Sequence, residues 1–425
     1  MSYFDVVIAG GGASGVMAAI SAKLHNPDKE VLLLERQTNL LNKVRASGNG
    51  RCNLSNQHLN ADCYFSIGSS DKQKNKFVQT ALNKVDYPKT KKIFESLGLF
   101  LRVDPYGRVY PYAEQAELVI DCLIDYLQKL NVEVWLQHEL TDLEELFAGA
   151  NSYSLHPQVN FNLSISSLSV SDKLRKENIT KTIQCNQLIL ACGSSAAKNL
   201  GGVENGYKLL KQLNVAISEL RPALVPLILA KDKTFQVLSG QRFKGRATLF
   251  ANRKNVFQVK GEFLFTKTGL SGIAAMELAR FIKPKNKYLL QIDFVPDLTK
   301  EQLKEFAANC SKSVKEKQFY HIAKGFVRKN IAKYISSRTK TFQELIKNLK
   351  ELPLEITGTL PQEKAQIIAG GAVLDQISLL SFALKKNPNI YVCGELLDVD
   401  GRTGGYNLQW AWTSGYIAGQ LRSMF

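Results

Sequence analysis

Glycines near the N-terminus recur at a spacing that suits the binding of a dinucleotide. An apolar stretch at 6–9 is followed by Gly10, Gly12, Ala13, Ser14 and Gly15, and then by an alanine-rich run. In such a strand–turn–helix unit the first glycine permits a tight turn, the second lets the backbone approach a pyrophosphate, and the third packs the helix on the strand. The N-terminus of the helix then offers free N–H groups and a positive dipole end to the phosphates.

An acid closes the next apolar stretch. Glu35 follows the run 31–34 and lies 20 residues after Gly15. A carboxylate at this place accepts hydrogen bonds from both hydroxyls of an adenosine ribose, and its charge repels a 2′-phosphate. The N-terminal segment therefore favours FAD or NAD over NADP.

A second glycine-rich segment lies near the C-terminus. Gly394 and Glu395 end an apolar stretch, and Gly404, Gly405, Tyr406 and Asn407 lead into a small-residue helix. We expect Glu395 to hold ribityl hydroxyls. A helix N-terminus after the 404–407 loop would face the pyrimidine edge of a flavin, where its dipole stabilises the anionic reduced ring. Two such segments at opposite ends of the chain indicate one long ligand, FAD.

Composition limits the class of protein. A chain of 425 residues with 45% hydrophobic content can bury a large core in two or three domains. It contains no apolar run of about 18 residues, so we expect no membrane span, and its N-terminus does not resemble a secretory signal. The seven cysteines are scattered without a Cys-x-x-Cys pair. This pattern argues against a zinc site or a disulfide framework and predicts a cytoplasmic location.

The positive charge is concentrated in the middle of the chain. The formal net charge is +17, and residues 195–360 hold 30 Lys and Arg against 13 Asp and Glu, so the remainder is neutral. We therefore predict a FAD-binding domain from residues 1–194 and 361–425. The inserted module would span 195–360, with 195–298 rich in β-strands and 299–360 helical and strongly basic.

Five blocks of the sequence together resemble a known family. They are residues 10–15, Ser-Gly-Asn-Gly-Arg-Cys-Asn at 47–53, Gly-Glu-Phe-Leu-Phe-Thr at 261–266, Gly-Gly-Ala-Val at 370–373, and the segment 394–412. These blocks resemble the signatures of the BaiN/YhiN-like flavoproteins, NAD(P)/FAD-dependent oxidoreductases that include aminoacetone-oxidase-like enzymes. The resemblance implies an α/β fold: a glutathione-reductase-like, FAD-binding Rossmann domain built from both chain ends, interrupted by a β domain and a small helical domain.

The resemblance also implies a set of cofactor-binding residues. The ADP half would contact Gly10, Gly12, Ala13, Ser14, Gly15 and Glu35, with Arg36 beside them. The pyrophosphate and flavin would contact Lys43, Ser47, Gly48, Asn49, Gly50, Arg51, Cys52 and Asn53. The backbone of Val134 would contact adenine, and Ala191, Cys192 and Gly193 would cover the ribose. The ribityl chain and ring would contact Gly394, Glu395, Gly404, Gly405, Tyr406 and Asn407.

Three features leave alternatives open. A lone cysteine beside a dinucleotide loop, as at Cys52, favours packing over a redox role. The favoured interpretation of Arg108 and Tyr110 is that they belong to a structural turn. The alternative is that they face a substrate carboxylate or carbonyl. A second glycine fingerprint of comparable quality is missing from the sequence, so NAD(P)H as an electron donor would dock transiently.

Residues 300–350 carry 13 Lys and Arg against 4 Asp and Glu. A solvated helical surface is the favoured interpretation. The alternatives are an acidic partner such as RNA or DNA, whose phosphates clustered cations neutralise, and an anionic membrane surface.

These observations predict an FAD-dependent oxidoreductase that moves a hydride between the flavin and a small organic substrate, with NAD(P)H as a candidate donor. The alternative is a flavin-dependent RNA-modifying enzyme, acting for example on tRNA, that uses the basic insert. The sequence assigns neither a metal site nor the side chain that carries the proton.

Overall fold

A computed structural model describes residues 2–146, 160–167, 180–230, 235–283, 286–311 and 318–422. The chain divides into two compact units. The first comprises Met1–Leu220 and Ile367–Phe425, and the second comprises Arg221–Gln366. Both chain ends therefore belong to the same unit.

The helices and strands of the described residues are numbered in chain order. The helices are α1 (Ala13–His25), α2 (Asn42–Ala46), α3 (Asp71–Lys84), α4 (Tyr87–Ser96), α5 (Ala116–Lys129), α6 (Asn205–Gln212), α7 (Ile273–Glu277), α8 (Lys300–Ser311), α9 (Gln318–Ala323), α10 (Lys329–Ser336), α11 (Phe342–Lys350) and α12 (Tyr406–Gly419). The strands are β1 (Ser2–Ala9), β2 (Val31–Glu35), β3 (Ser55–Asn56), β4 (Tyr64–Phe65), β5 (Leu101–Val103), β6 (Arg108–Pro111), β7 (Glu133–Leu136), β8 (His138–Glu145), β9 (Phe161–Ser167), β10 (Thr180–Leu190), β11 (Arg221–Ala223), β12 (Leu227–Leu229), β13 (Arg242–Ala251), β14 (Lys254–Phe265), β15 (Gly269–Ser271), β16 (Tyr288–Asp293), β17 (Leu352–Thr359), β18 (Ile367–Ala369), β19 (Ile390–Val392) and β20 (Asp400–Gly401).

The first unit is built on a mixed sheet. Its described strands run in the order β7-β2-β1-β10-β9-β8, and β19 also pairs with β10. The pairings of β1 with β2 and β10, of β2 with β7, and of β10 with β19 are parallel. The apolar side chains of β1 and β2 are mostly buried, as expected for parallel strands covered on both faces. The carboxyl ends of β1, β2, β10 and β19 therefore meet at one edge, where α/β folds bind their ligands.

The C-terminal helix packs directly on the helix that follows the first glycine turn. A Cβ atom at Gly415 would overlap the backbone of Ser14, and one at Gly419 would overlap the carbonyl of Ala18. Ser21 Oγ donates a hydrogen bond of 2.6 Å to the carbonyl of Tyr416. Only residues without a side chain permit so close an approach, so the small residues of α1 and α12 bring the two chain ends together.

The second unit contains a closed barrel followed along the chain by helices. The barrel order is β12-β15-β14-β13-β16-β17. Inside it, the ring of Phe243 stacks on those of Phe263 and Phe265, at centroid distances of 5.1 and 5.2 Å. Lys350, at the end of α11, forms an ion pair of 2.8 Å with Asp293 at the end of β16, which ties the helical segment to the barrel.

Three boundaries differ from the sequence-based prediction. Residues 361–366, which the sequence assigned to the FAD-binding domain, belong to the second unit. Residues 195–220 belong to the first unit, where Asn205 Nδ2 donates to the carbonyl of Leu140 at 2.6 Å and Gln212 Nε2 donates to Asp142 at 2.6 Å. β17 lies in the segment predicted to be helical, and it closes the barrel between β16 and β12. The predicted bounds were drawn from the distribution of charged residues, which reflects surface composition. The observed bounds depend on contacts between segments that are far apart in sequence.

Candidate flavin site

A large cavity lies in the first unit, at the carboxyl edge of its parallel strands. The empty space within it is about 1180 Å³, including open solvent at its mouth. Residues from both chain ends line it, among them Gly10 to Ser14, Glu35, Gly394, Glu395, Asn407, Leu408, Trp410 and Ala411. The cavity therefore suits one extended ligand held by both ends of the chain.

The N-terminal glycine turn has the geometry that a pyrophosphate site requires. Gly10 has φ +113°, and a Cβ atom there would overlap the carbonyl of Ala191. A Cβ atom at Gly15 would overlap the carbonyl of Gly10, whereas Gly12 has no atom within 4 Å of such a position. Gly10 and Gly15 thus serve close packing, and Gly12 leaves space on the cavity side, directly before α1. A helix N-terminus beside such a space offers backbone N–H groups to phosphates.

The Glu35 carboxylate is oriented by the backbone. Its Oε2 accepts a hydrogen bond of 2.9 Å from Gly11 N, and its Oε1 accepts one of 2.6 Å from Gln37 N. Burial raises the pKa of this carboxyl, and the two backbone hydrogen bonds act in the opposite direction. Because each carboxylate oxygen has a second lone pair, acceptors remain for two ribose hydroxyls.

Glu395 is oriented by two segments that are far away in sequence. Its Oε2 accepts hydrogen bonds from Lys43 Nζ at 2.8 Å and from Ser194 Oγ at 2.6 Å. Gly394 has φ +70° and lies so close to Ser14 that a Cβ atom at position 394 would overlap the serine hydroxyl. The carboxylate is thus held in the cavity wall, and its Oε1 is suited to accept from a ribityl hydroxyl.

The 404–407 loop is fixed against the 53–56 segment. Gly405 has φ +100°, and a Cβ atom there would overlap the carbonyl of Ser55. Asn56 Nδ2 donates to the carbonyl of Gly404 at 2.9 Å. The side-chain amide oxygen of Asn53 accepts a hydrogen bond of 3.1 Å from Gly405 N when the amide nitrogen faces the carbonyl of Ser55. These contacts set the start of α12, whose N-terminal dipole end is available to a negatively charged ring edge.

The 47–53 loop is strained and only partly buried. Gly48, Asn49 and Cys52 all have φ between 56° and 58°. Cys52 is fully buried, and burial raises the pKa of its thiol to about 12. A thiolate is therefore disfavoured at Cys52, which supports the packing interpretation over a redox role.

The turn at 104–110 is held by its own side chains. Arg108 Nη2 pairs with Asp104 Oδ2 at 2.7 Å, and Arg108 N donates to Asp104 Oδ1 at 3.0 Å. The ring of Tyr110 is buried, with the guanidinium of Arg51 5.2 Å from its centroid. These contacts support the structural-turn interpretation of Arg108 and Tyr110.

The predicted site residues fall into two groups. Those that line the cavity are Gly10, Gly12, Ala13, Ser14, Glu35, Arg36, Lys43, Ala191, Cys192, Gly193, Gly394, Glu395 and Asn407. Those outside its lining are Gly15, Ser47, Gly48, Asn49, Gly50, Arg51, Cys52, Asn53, Val134, Gly404, Gly405 and Tyr406. Val134 lies within β7, paired with Leu33, and the adjacent lining is formed by residues 138–140.

Sequence reasoning missed several lining residues. They include Gln37, Asn39, residues 138–140, residues 200–203, Asn205, Val399, Leu408, Trp410 and Ala411. The consecutive glycines Gly201 and Gly202 could have indicated this part of the cavity wall, because paired glycines often mark a close approach of the backbone. In the structure a Cβ atom at Gly202 would overlap the carbonyl of Ala196. Residues 138–140 carry no comparable local signal, since their position depends on the sheet.

The described part of the chain contains neither a membrane-spanning helix nor a cluster of metal ligands. No described helix combines the length and the hydrophobicity that a bilayer-spanning segment needs. Within the same residues, no group of three or more His, Cys, Asp or Glu is placed to hold a metal ion.

A Rossmann unit whose glycine turn shares one cavity with a C-terminal helix defines a dinucleotide-binding flavoprotein. The family described as HI0933-like protein Rossmann domain matches residues 4–421. The chain belongs to this family, which confirms the resemblance found in its sequence. It is an FAD-dependent oxidoreductase with a mixed α/β Rossmann-like fold.

Named relatives cover nearly the whole chain. A 3-dehydro-bile acid delta(4,6)-reductase of Clostridium scindens is 31% identical over 431 residues, covering 97% of this chain and 97% of the relative. A ribosomal RNA dihydrouridine synthase of Escherichia coli is 26% identical over 433 residues, covering 99% and 98%. A protein of the same name from Haemophilus influenzae is 26% identical over 431 residues, covering 97% of each.

Two solved structures are similar to this chain over nearly its whole length. A 3-ketosteroid-delta4-(5alpha)-dehydrogenase from Rhodococcus jostii RHA1 has a TM-score of 0.48 at 12% identity, covering 99% of this chain and 97% of that one. A flavocytochrome c3 fumarate reductase in an open conformation has a TM-score of 0.47 at 13% identity, covering 99% and 78%.

Proposed function

We propose that this flavoprotein reduces a carbon–carbon double bond conjugated to a carbonyl group in a small organic substrate, with NAD(P)H as a transiently docked donor. The observation that carries the proposal is that Glu35, near one chain end, and Glu395, near the other, line the same cavity. FAD, when bound, supplies the two-electron carrier that delivers a hydride.

The names of the relatives support this reaction class. One relative is named as a delta(4,6)-reductase of a 3-dehydro-bile acid, and another as a dihydrouridine synthase. Both names describe the addition of hydrogen across a carbon–carbon double bond. A conjugated carbonyl is required on chemical grounds, because hydride addition to an alkene leaves negative charge that the carbonyl oxygen accepts.

The chain's own residues would bind, orient and shield the cofactor. The glycine turn and Glu35 would hold the ADP half, and the Lys43–Glu395–Ser194 contacts would orient the ribityl chain. We assign the 47–53 and 404–407 loops to the flavin ring as part of this proposal. Leu408, Trp410 and Ala411 of α12 present largely apolar surface to the cavity, which excludes water from the reacting face.

The test is a spectrum followed by two titrations. Purified protein should show flavin absorbance that NADH or NADPH bleaches under anaerobic conditions. Adding 2-cyclohexenone should restore the absorbance, whereas the saturated ketone cyclohexanone should not. If the enone and cyclohexanone restore the absorbance at the same rate, or if neither nucleotide reduces the flavin, the proposed reaction is wrong.

The second candidate function is RNA modification, and the charge of the helical segment favours it. Between residues 318 and 350 the exposed cations are Lys324, Arg328, Lys329, Lys333, Arg338, Lys340 and Lys347, against one acid, Glu344. Clustered cations of this kind bind phosphate backbones with strong salt dependence. Lys329→Glu combined with Lys333→Glu should weaken tRNA or ribosomal RNA binding and flatten its salt dependence. A wild-type chain that fails to retard either RNA at about 50 mM salt would remove this candidate.

The proposal includes a cytoplasmic location. Cys52, Cys185 and Cys393 are fully buried, and burial raises the pKa of each thiol. Thiols that pack as small apolar side chains are typical of a reducing compartment. Cell fractionation that recovered the protein outside the cytoplasm would contradict this part.

A further inference from the structure

Solvent-exposed aromatic side chains cluster in one short segment of the first unit. We call residues 100–112, which contain β5 and β6, the aromatic hairpin. Phe100, Tyr106 and Tyr112 are 66%, 73% and 66% exposed, and Val103 is 38% exposed. Exposed apolar residues are ordinary when scattered singly, whereas a cluster of them marks a binding surface.

The inner side of the aromatic hairpin contacts both loops assigned above to the flavin ring. A Cβ atom at Gly48 would lie 3.6 Å from the ring of Tyr110. A Cβ atom at Gly404 would lie 3.8 Å from Arg108 Cγ. Asn56 of β3, which pairs with β6, donates to the carbonyl of Gly404. A molecule bound on the exposed rings would therefore lie beside these loops.

Arginines lie on the aromatic hairpin and on the segments next to it. Residues 47–58, 100–114 and 402–405 contain four arginines against two carboxylates. Arg51 and Arg102 share the single carboxylate of Glu114. Arg108 lies 5.1 Å from the centroid of the Tyr106 ring. The surface thus combines flat rings with an excess of positive charge.

We propose that the aromatic hairpin binds unpaired bases of an RNA strand. Base stacking on Phe100, Tyr106 and Tyr112 would hold the strand, and the net positive charge of the surface would attract its phosphates. Rings interleaved with guanidiniums suit this ligand, because each base offers a flat face and each phosphate a negative charge. This inference rests on the RNA candidate above and gives that candidate a substrate-binding surface in the first unit.

The experiment compares RNA binding by ring-deleted and ring-conserving variants. A fluorescent oligouridylate of 12 nucleotides is titrated at about 50 mM salt with wild type and with the triple variant Phe100→Ala, Tyr106→Ala, Tyr112→Ala. We expect the affinity to fall about tenfold per ring removed, near the lower part of the range for base–aromatic stacking. The ring-conserving triple Phe100→Tyr, Tyr106→Phe, Tyr112→Phe should bind within threefold of wild type. Leu380→Ala and Ile273→Ala, which remove apolar side chains 54% and 55% exposed elsewhere, should have no effect.

Three results would overturn the inference. They are equal binding by wild type and the alanine triple variant, no binding of oligouridylate by wild type at about 50 mM salt, and a loss of self-association, seen by sedimentation, in place of a loss of RNA binding. The 2-cyclohexenone assay on wild-type protein requires no RNA. Failure of the hairpin inference and failure of the proposed reduction are therefore separate results.

Discussion

Glu35→Ala is the most direct test of the adenosine end of the site. The substitution removes a carboxylate whose two oxygens each accept one backbone hydrogen bond and are suited to accept one ribose hydroxyl each. A hydrogen bond to a charged group contributes about 1.5–3 kcal/mol, so two such bonds contribute about 3–6 kcal/mol. In the variant, water that enters the open cavity forms hydrogen bonds with the ribose hydroxyls and offsets part of this lost binding free energy. We therefore expect a loss of about 3 kcal/mol, or roughly 100-fold in the dissociation constant of FAD.

The assay is the titration of apoprotein with FAD and, separately, with FMN, followed by flavin fluorescence. FMN carries the flavin, the ribityl chain and one phosphate, but it has no adenosine. Glu35→Ala should therefore weaken FAD about 100-fold and change FMN by less than threefold. A thermal melt of the apoprotein should show a modest loss of stability, since Gly11 N and Gln37 N lose their side-chain acceptor.

Two results would refute this reasoning. If the variant binds FAD within threefold of wild type, Glu35 does not hold the ribose. If FAD and FMN weaken equally, the substitution has disturbed the whole cavity, and the assignment of Glu35 to the adenosine end is wrong.

Three further predictions concern the titration of Glu35, the 404–407 loop and the ion pair between Lys350 and Asp293. Because burial raises the pKa of Glu35 above its ordinary 4.5, FAD affinity should be full at neutral pH and should fall on acidification at a pH above 4.5, with proton release on binding. Gly405→Val should yield folded apoprotein, since its Cβ atom would overlap the Ser55 carbonyl at a φ of +100°, and flavin absorbance per polypeptide measures this. Lys350→Met should cost about 3–5 kcal/mol in urea unfolding, because it leaves the Asp293 carboxylate buried without its cation.

Each of these predictions has a matched control. Glu35→Gln carries no titratable group at this position, and a pH dependence that it retains would assign the titration to another residue. Gly358→Ala has no heavy atom within 4 Å of its Cβ position and should keep its flavin. Lys300→Met breaks the exposed pair with Glu351 and should cost far less than Lys350→Met, because solvent screens an exposed pair. Equal losses for Lys300→Met and Lys350→Met would show that burial of the Asp293 pair does not matter.

The sequence predicted the parts of the site that are encoded locally. The tight turn at Gly10, the open approach at Gly12 and the acid at Glu35 depend on residues that are neighbours in one strand–turn–helix unit. The glycines at 404–405 are readable for the same reason, since a positive φ demands that residue type wherever the rest of the chain lies. The two glycine-rich segments also predicted that the chain ends meet around one ligand, and α1 and α12 pack together through their small residues.

Only the tertiary structure decided which distant residues meet. Glu395 is oriented by Lys43 and Ser194, β17 closes a barrel from inside a segment predicted to be helical, and residues 138–140 line the cavity where Val134 was expected. None of these contacts has a local sequence pattern, because each depends on the register and order of strands that are separated by long stretches of chain. Types and spacing along the sequence determined what kind of ligand this protein holds, whereas the pairing of its sheet decided which side chains surround it.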